Sequence, residues 1–182
     1  GDWSSDVCSS DLLQRTDPVT DEAATAHAPS CSFRRFRATD TEACLAIFDR
    51  NCPAFFAPNE RADYAAFLAN VPEGYEVCSV GDRLVGAFGL LTTDRASIPP
   101  WERAMPAIVI PVGAARVRIT WILLDPDTQG TGLGAAMMKR AIEGARRAGA
   151  TQMDIAASHL SEGFFATFNA TTVSRQIGRA HV

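Results

Sequence analysis

The stretch LLDPDTQGTGLG, residues Leu123 to Gly134, decides how this chain folds. Before it, "ARVRITWILLDP" is long and largely apolar, as expected of a central strand. After it, Leu133, Met137, Ala141 and Ala145 recur at helical spacing, with Lys139, Glu143 and Arg147 elsewhere. Arg146, Arg147 and Gly149 supply a good helix ending near Ala148. Between strand and helix, Gly130, Gly132 and Gly134 alternate strictly. A helix start aims unpaired N–H groups outward, a natural seat for an anion, and glycine lets a ligand approach the backbone closely. The spacing is not G-x-G-x-x-G, and no Gly-Lys-Ser/Thr closes a phosphate loop. A tight turn with a well-packed helix start would also account for the glycines without any ligand.

Working outward, "FRRFRATD" (Phe33 to Asp40) reads as a first strand, with Thr39 or Asp40 capping a helix that runs to about Asn51. "NERADYAAFLANV" is a second helix with Tyr64, Phe67 and Leu68 in a stripe. "YEVCSV" and "LVGAFGLLTT" are strands joined by the turn "GDR". Residues 94–114 carry four prolines and read as a long loop over a cleft. Beyond the glycine helix, "TQMDIAA" is a strand, "SEGFFATF" a short helix, and "TTVSR" begins a last strand.

A net charge of -4 over 182 residues advertises no nucleic-acid surface, and no apolar run is long enough to span a bilayer. Five cysteines without CxxC or histidine-linked spacing argue against a metal site and fit reduced thiols in the cytoplasm. Cys44 and Cys78 fall in apolar patterns and read as core residues. The tails are unusual. DNA reading GAC GTG TGC TCT TCC GAT CT encodes Asp6 to Asp11 and begins Leu12, and its reverse complement encodes Ile177 to Val182. Both resemble translated sequencing-adapter sequence. Residues 1–32 are therefore expected to be an adapter-like, disordered leader and 177–182 an adapter-like tail, leaving a C-terminally truncated domain at 33–176.

With its flanks, "LLDPDTQGTGLG" resembles motif A of the GCN5-related N-acetyltransferase (GNAT) superfamily, Q/R-x-x-G-x-G/A after the fourth strand, with Gln129, Gly132 and Gly134 at the named positions. The element order over residues 33–176 is similar as well. The resemblance implies an α/β (α+β) fold, a mixed central sheet with helices on both faces, here lacking its last C-terminal strand. It implies acetyl-CoA as cosubstrate, held by the amides of Gln129, Gly130, Thr131, Gly132, Leu133 and Gly134. The main chain of Leu123 and Leu124 would meet the pantetheine, and an N–H near Leu124 would stabilise the oxyanion.

The reaction implied is attack by the primary amine of a small-molecule acceptor on the thioester, with no metal, nucleic acid or membrane partner; a homodimeric partner is left open. Three positions depart from the family pattern. Phe165 stands where a tyrosine hydroxyl is common, Ser158 where an asparagine is, and Asn169 where a glycine is. Ser158 keeps a hydroxyl for CoA or for a proton. For the base, His159 and Glu76 are candidates, against plain surface roles for both. Trp121 lines either the acceptor pocket or the core. A noncatalytic acyl-CoA-binding or sensory domain is the alternative, and a nucleotide-binding α/β domain a third.

Overall fold

A computed structural model describes residues 3–11, 30–70, 73–92 and 116–178. The loop expected over residues 94–114 lies outside these. Seven strands form one mixed sheet in the order β2-β3-β4-β5-β6-β1-β7. They are β1 (Trp3–Asp11), β2 (Ser32–Arg35), β3 (Tyr75–Val80), β4 (Arg83–Thr92), β5 (Arg116–Leu124), β6 (Gln152–Ser158) and β7 (Ala170–Gly178). The helices are α1 (Thr41–Asn51), α2 (Glu60–Ala69), α3 (Leu133–Arg147) and the short α4 (Glu162–Ala166). All pairings are antiparallel except β5 with β6.

Because neighbouring strand residues point to opposite faces, the sheet carries two cores. On one face Val77, Ala87 and Leu123 meet Phe36, Ile47, Phe48, Tyr64, Phe67 and Leu68 of the α1–α2 side. On the other, Cys78, Phe88, Val117 and Ile119 pack beneath Leu133, Met137, Ala141 and Ala145 of α3. That helical stripe is fully buried, while Lys139, Glu143 and Arg147 are exposed. At the C-terminus of α3, Gly149 takes φ +76. Its N–H donates to Arg146 O and that of Ala150 to Ala145 O, both at 3.0 Å, which satisfies the last carbonyls.

Cys44 and Cys78 are buried as expected. Burial pushes the Cys44 thiol up to about 11 and, with Cys31 alongside, that of Cys78 up to about 12. Neither is a thiolate near neutral pH.

Two local expectations are corrected. The strand expected over Phe33 to Asp40 is β2, which stops at Arg35, and residues Ala38–Asp40 form a 3-10 turn. Asp40 sits at the N-cap of α1 but makes no capping bond there. Its carboxylate instead accepts from Arg37 N at 2.8 Å and from both ends of the Arg34 guanidinium at 2.7 and 2.8 Å.

The larger difference concerns the leader. Trp3–Asp11, expected to belong to a disordered leader, lies between β6 and β7 and pairs with both. Among the described residues no later strand fills that place, and the facing edges of β6 and β7 supply its main-chain partners.

Candidate active site

Two strands part at the centre of the sheet. The β5–β6 pairing runs from Arg116↔Gln152 to Ile119↔Ile155 and stops there, although β5 continues to Leu124 and β6 to Ser158. Beyond that point β5 stays on β4, and β6 stays on β1 as far as Ser158↔Ser5. Each jaw is held by its outer neighbour, so a wedge opens between them.

A bulge shapes the β5 jaw. Gly89 pairs with Thr120 but Ala87 with Leu123, so Trp121 and Ile122 both stand opposite Phe88. Trp121 takes φ +44, a strained value for a residue with a side chain. Its carbonyl accepts from Tyr75 OH at 2.9 Å, and Tyr75 OH bonds Tyr64 OH at 2.8 Å. Burial raises both phenols well above their ordinary range, so they stay neutral. The indole packs against Phe48, Phe56, Tyr64 and Phe67.

At the end of β5, Asp125 N donates to Val85 O at 2.7 Å. By strand alternation the main chain of Leu123 also faces β4, and that of Leu124 faces the wedge. The two leucines singled out from the sequence both line the cavity described below, but Leu123 has its backbone engaged in the ladder and its side chain buried. Leu124 keeps its N–H toward the wedge, while its carbonyl accepts from Asn51 Nδ2 at 3.0 Å. The same amide nitrogen donates to Ile47 O at 2.8 Å, tying α1 to the jaw.

The turn that follows is fixed by Asp125, only 2% exposed. Its carboxylate meets Arg50 at 3.0 Å, contacts Arg83, and accepts from Asp127 N at 3.1 Å. A 3-10 turn at Pro126–Thr128 then leads to Gln129, whose N–H donates to Pro126 O at 3.2 Å. Gln129 is thus removed from the expected set of free amides. Gly130 and Gly132 take φ +77 and +86, and Gly132 is the N-cap of α3. Ala136 N is the first to bond back, to Gly132 O at 3.0 Å. That leaves Gly132, Leu133, Gly134 and Ala135 as the four open donors of the helix start. No side chain caps them, and the first turn holds no acidic residue. Gly134 matters sterically: a Cβ there would lie 3.2 Å from the ring of Phe164. Ala135 is the amide that sequence reading missed.

The wedge and the glycine turn open into one cavity of about 490 Å³. Gln129, Gly130, Gly132, Gly134, Leu124 and Ser158 all line it. Ser158 is buried and its Oγ accepts from Leu160 N at 3.4 Å. Phe165 lines the inner wall and is buried, supplying contact but no proton. Asn169 takes φ +60, the left-handed conformation that suits asparagine.

The two base candidates are not brought in. Glu76 points to the α3 face, where its carboxylate takes two bonds from Arg140 at 2.9 and 3.1 Å. His159 is exposed and outside the lining. What the sequence reading missed is the α1–α2 connection, which contributes Phe55, Phe56 and Glu60. An apolar pair between Pro53 and Pro58 was the available signal, because such a pair in a short loop needs something to cover.

A family model described as "Acetyltransferase (GNAT) family" matches residues 44–168. The chain belongs to the GNAT family. Membership places it among acetyl-CoA-dependent acetyltransferases. A search of curated proteins finds no relative of this chain.

Solved structures agree on the fold. An acetyltransferase from Trypanosoma brucei superposes with a TM-score of 0.57 at 20% identity, over 84% of this chain and 100% of that one. A predicted acetyltransferase from Clostridium acetobutylicum, solved with acetyl-CoA, gives 0.57 at 14% identity over 80% and 92%. A GCN5-related glucosamine N-acetyltransferase region of a fungal multi-domain GH3 β-N-acetylglucosaminidase gives 0.68 at 16% identity. There the likeness covers 96% of this chain but spans only 20% of that protein. Among the described residues no helix is long and apolar enough to cross a membrane.

Proposed function

We propose that this GNAT chain transfers the acetyl group of acetyl-CoA to the primary amine of a small-molecule acceptor. The observation that carries the reading is the shared cavity, which joins an uncapped helix start to a parted strand pair. Four converging amides and the positive end of a 15-residue helix suit the diphosphate of CoA. The free edge of β5 around Leu124 suits an amide-bearing arm lying in the wedge as an added strand. The thioester supplies an activated acetyl carbon. The Leu124 N–H faces the place where negative charge develops on its oxygen, and Ser158 offers a hydroxyl on the opposite jaw. Holding amine and thioester together in one cleft accounts for much of the rate. The free thiols among the described residues suit a cytoplasmic setting.

The buried phenylalanine at position 165 favours one alternative, a domain that binds acyl-CoA without turning it over. A thiol-release assay with acetyl-CoA and a library of primary amines, run beside CoA calorimetry, separates the two. Amine-dependent thiol release supports the transferase. Tight CoA binding with no release from any amine supports the sensor, and absence of CoA binding overturns both.

A further inference from the structure

We propose that Glu60, at the start of α2 on the cavity wall, docks the ammonium group of an acceptor with an apolar body and takes its proton. The inference rests on the transferase reading above. Among the described residues that line the cavity, Glu60 is the one carboxylate and Arg118 the one cationic side chain; histidine, lysine, tyrosine and cysteine do not contribute. A neutral amine must be generated before it attacks a thioester, so the proton needs an acceptor within reach.

The surroundings fit that work. Glu60 opens α2, and its Oε2 accepts from Ala57 N at 2.6 Å, which fixes the carboxylate against its own loop. Phe55 and Phe56 lie on the loop before it and line the same space, as does Trp121. The Phe56 and Trp121 rings lie 6.2 Å apart between centroids. Aromatic faces beside a carboxylate favour an ammonium head and an alkyl or aryl body together.

Burial holds the Glu60 carboxyl above the usual carboxylate range; Asp63 on its own helix adds to the rise and the Ala57 N–H opposes it. Nearby, the Cys52 thiol after α1 feels the charges of Glu60, Asp49 and Arg61, and Arg118 lines the same cavity. A base held above the ordinary value is a better proton acceptor. The step balances without any further reactant. The ammonium proton passes to the Glu60 carboxylate and the amine nitrogen bonds to the acetyl carbon. The C–S bond then breaks with its electron pair on sulfur. The second proton, released from the new amide nitrogen, ends on the CoA thiolate or in solvent.

The test compares the full chain with Glu60→Gln, which keeps an oxygen for the Ala57 N–H. The probes are benzylamine and n-hexylamine, with benzyl alcohol and n-hexanol as uncharged matches. Wild type saturated with CoA is expected to bind the amines and not the alcohols. Its kcat/KM should be flat between the Glu60 pKa and that of the free amine. The variant should bind CoA as wild type does and lose about 100-fold in kcat/KM at pH 7. Its profile should instead climb tenfold per pH unit toward the amine pKa, because only amine already neutral in solution can react.

Retention of wild-type kcat/KM within threefold together with the flat profile overturns the assignment while leaving the transferase reading intact. Amine binding no better than alcohol binding, or a matching loss of CoA affinity in the variant, also overturns it. Failure of wild type to bind CoA at all sinks the underlying reading instead.

Discussion

Ala135→Asp separates a binding role for the α3 start from a purely structural one, because the two predict opposite signs. Ala135 is the third residue of α3, lines the cavity, and follows an N-terminus with neither side-chain cap nor acidic residue. If that terminus only had to be stable, a carboxylate there would improve it. Charge against the helix dipole contributes about 0.3–1 kcal/mol. For a chain of this length that corresponds to a melting temperature higher by about 1–4 °C.

If the same terminus seats a diphosphate, the carboxylate faces it. At a separation of about 5 Å, each facing pair of like charges costs ~1 kcal/mol in a water-like medium and ~3 kcal/mol at the effective dielectric of a protein cleft. The dissociation constant for CoA should therefore rise ~5- to 150-fold. Isothermal calorimetry and thermal denaturation read the two effects separately. Ala135→Asn is the control for size, and rising ionic strength should narrow the gap between the two variants. The reasoning is refuted if folded Ala135→Asp binds CoA as wild type does, or if Asp and Asn variants lose affinity alike.

Two further results are expected on stability. In Gly86→Ala, the new Cβ would lie 2.8 Å from the Met137 sulfur and 3.0 Å from the Leu123 carbonyl oxygen. The sulfur can swing aside but the ladder carbonyl cannot, so urea unfolding should show a loss of about 1–3 kcal/mol. In Gly144→Ala the nearest atom is the flexible end of Leu90, at 2.7 Å. Better helix propensity, worth about 1 kcal/mol, offsets its displacement, and the midpoint should hardly move. Asp40 gives a pH signature. Its carboxyl is held below the usual range, chiefly by the hydrogen-bonded Arg34 guanidinium. A lowered folded pKa stabilises the native state above the unfolded value of about 4, and that contribution is lost as pH falls through the folded value. Asp40→Asn should therefore flatten the acid side of the stability curve below about pH 4 while lowering stability at pH 7; parallel curves for variant and wild type would contradict the assignment.

Much of the fold was legible because its signals are local. The periodicity of Leu133, Met137, Ala141 and Ala145, the stop at Gly149 and the alternation of "YEVCSV" each depend on a few neighbouring residues. The glycine turn was legible for the same reason, with Gly130 and Gly132 both at positive φ. What escaped depends on pairing across the chain. Strand alternation puts Glu76 and Val77 on opposite faces, but only the packed helices decide which of those faces holds the cleft. Leu123 and Leu124 look equivalent in the sequence, and the partner strand distinguishes them. Asp40 has the right chemistry for a helix cap, yet Arg34, brought alongside by β2, competes for it. The pairing of Trp3–Asp11 has no local signal, since it depends on two edges contributed by distant segments.

The extra residue in β5 has a consequence for anyone altering this protein. Counting from Thr120, it inverts the odd-even order in which the strand offers its amides, so that Leu124 and not Leu123 looks into the wedge. Deleting either Trp121 or Ile122 would turn the strand's downstream edge around by one step while every neighbouring residue kept its identity. Transplanting this cleft onto another scaffold therefore means carrying a residue count as well as a motif, and that count lies three positions before the glycine turn's own anchor, Asp125.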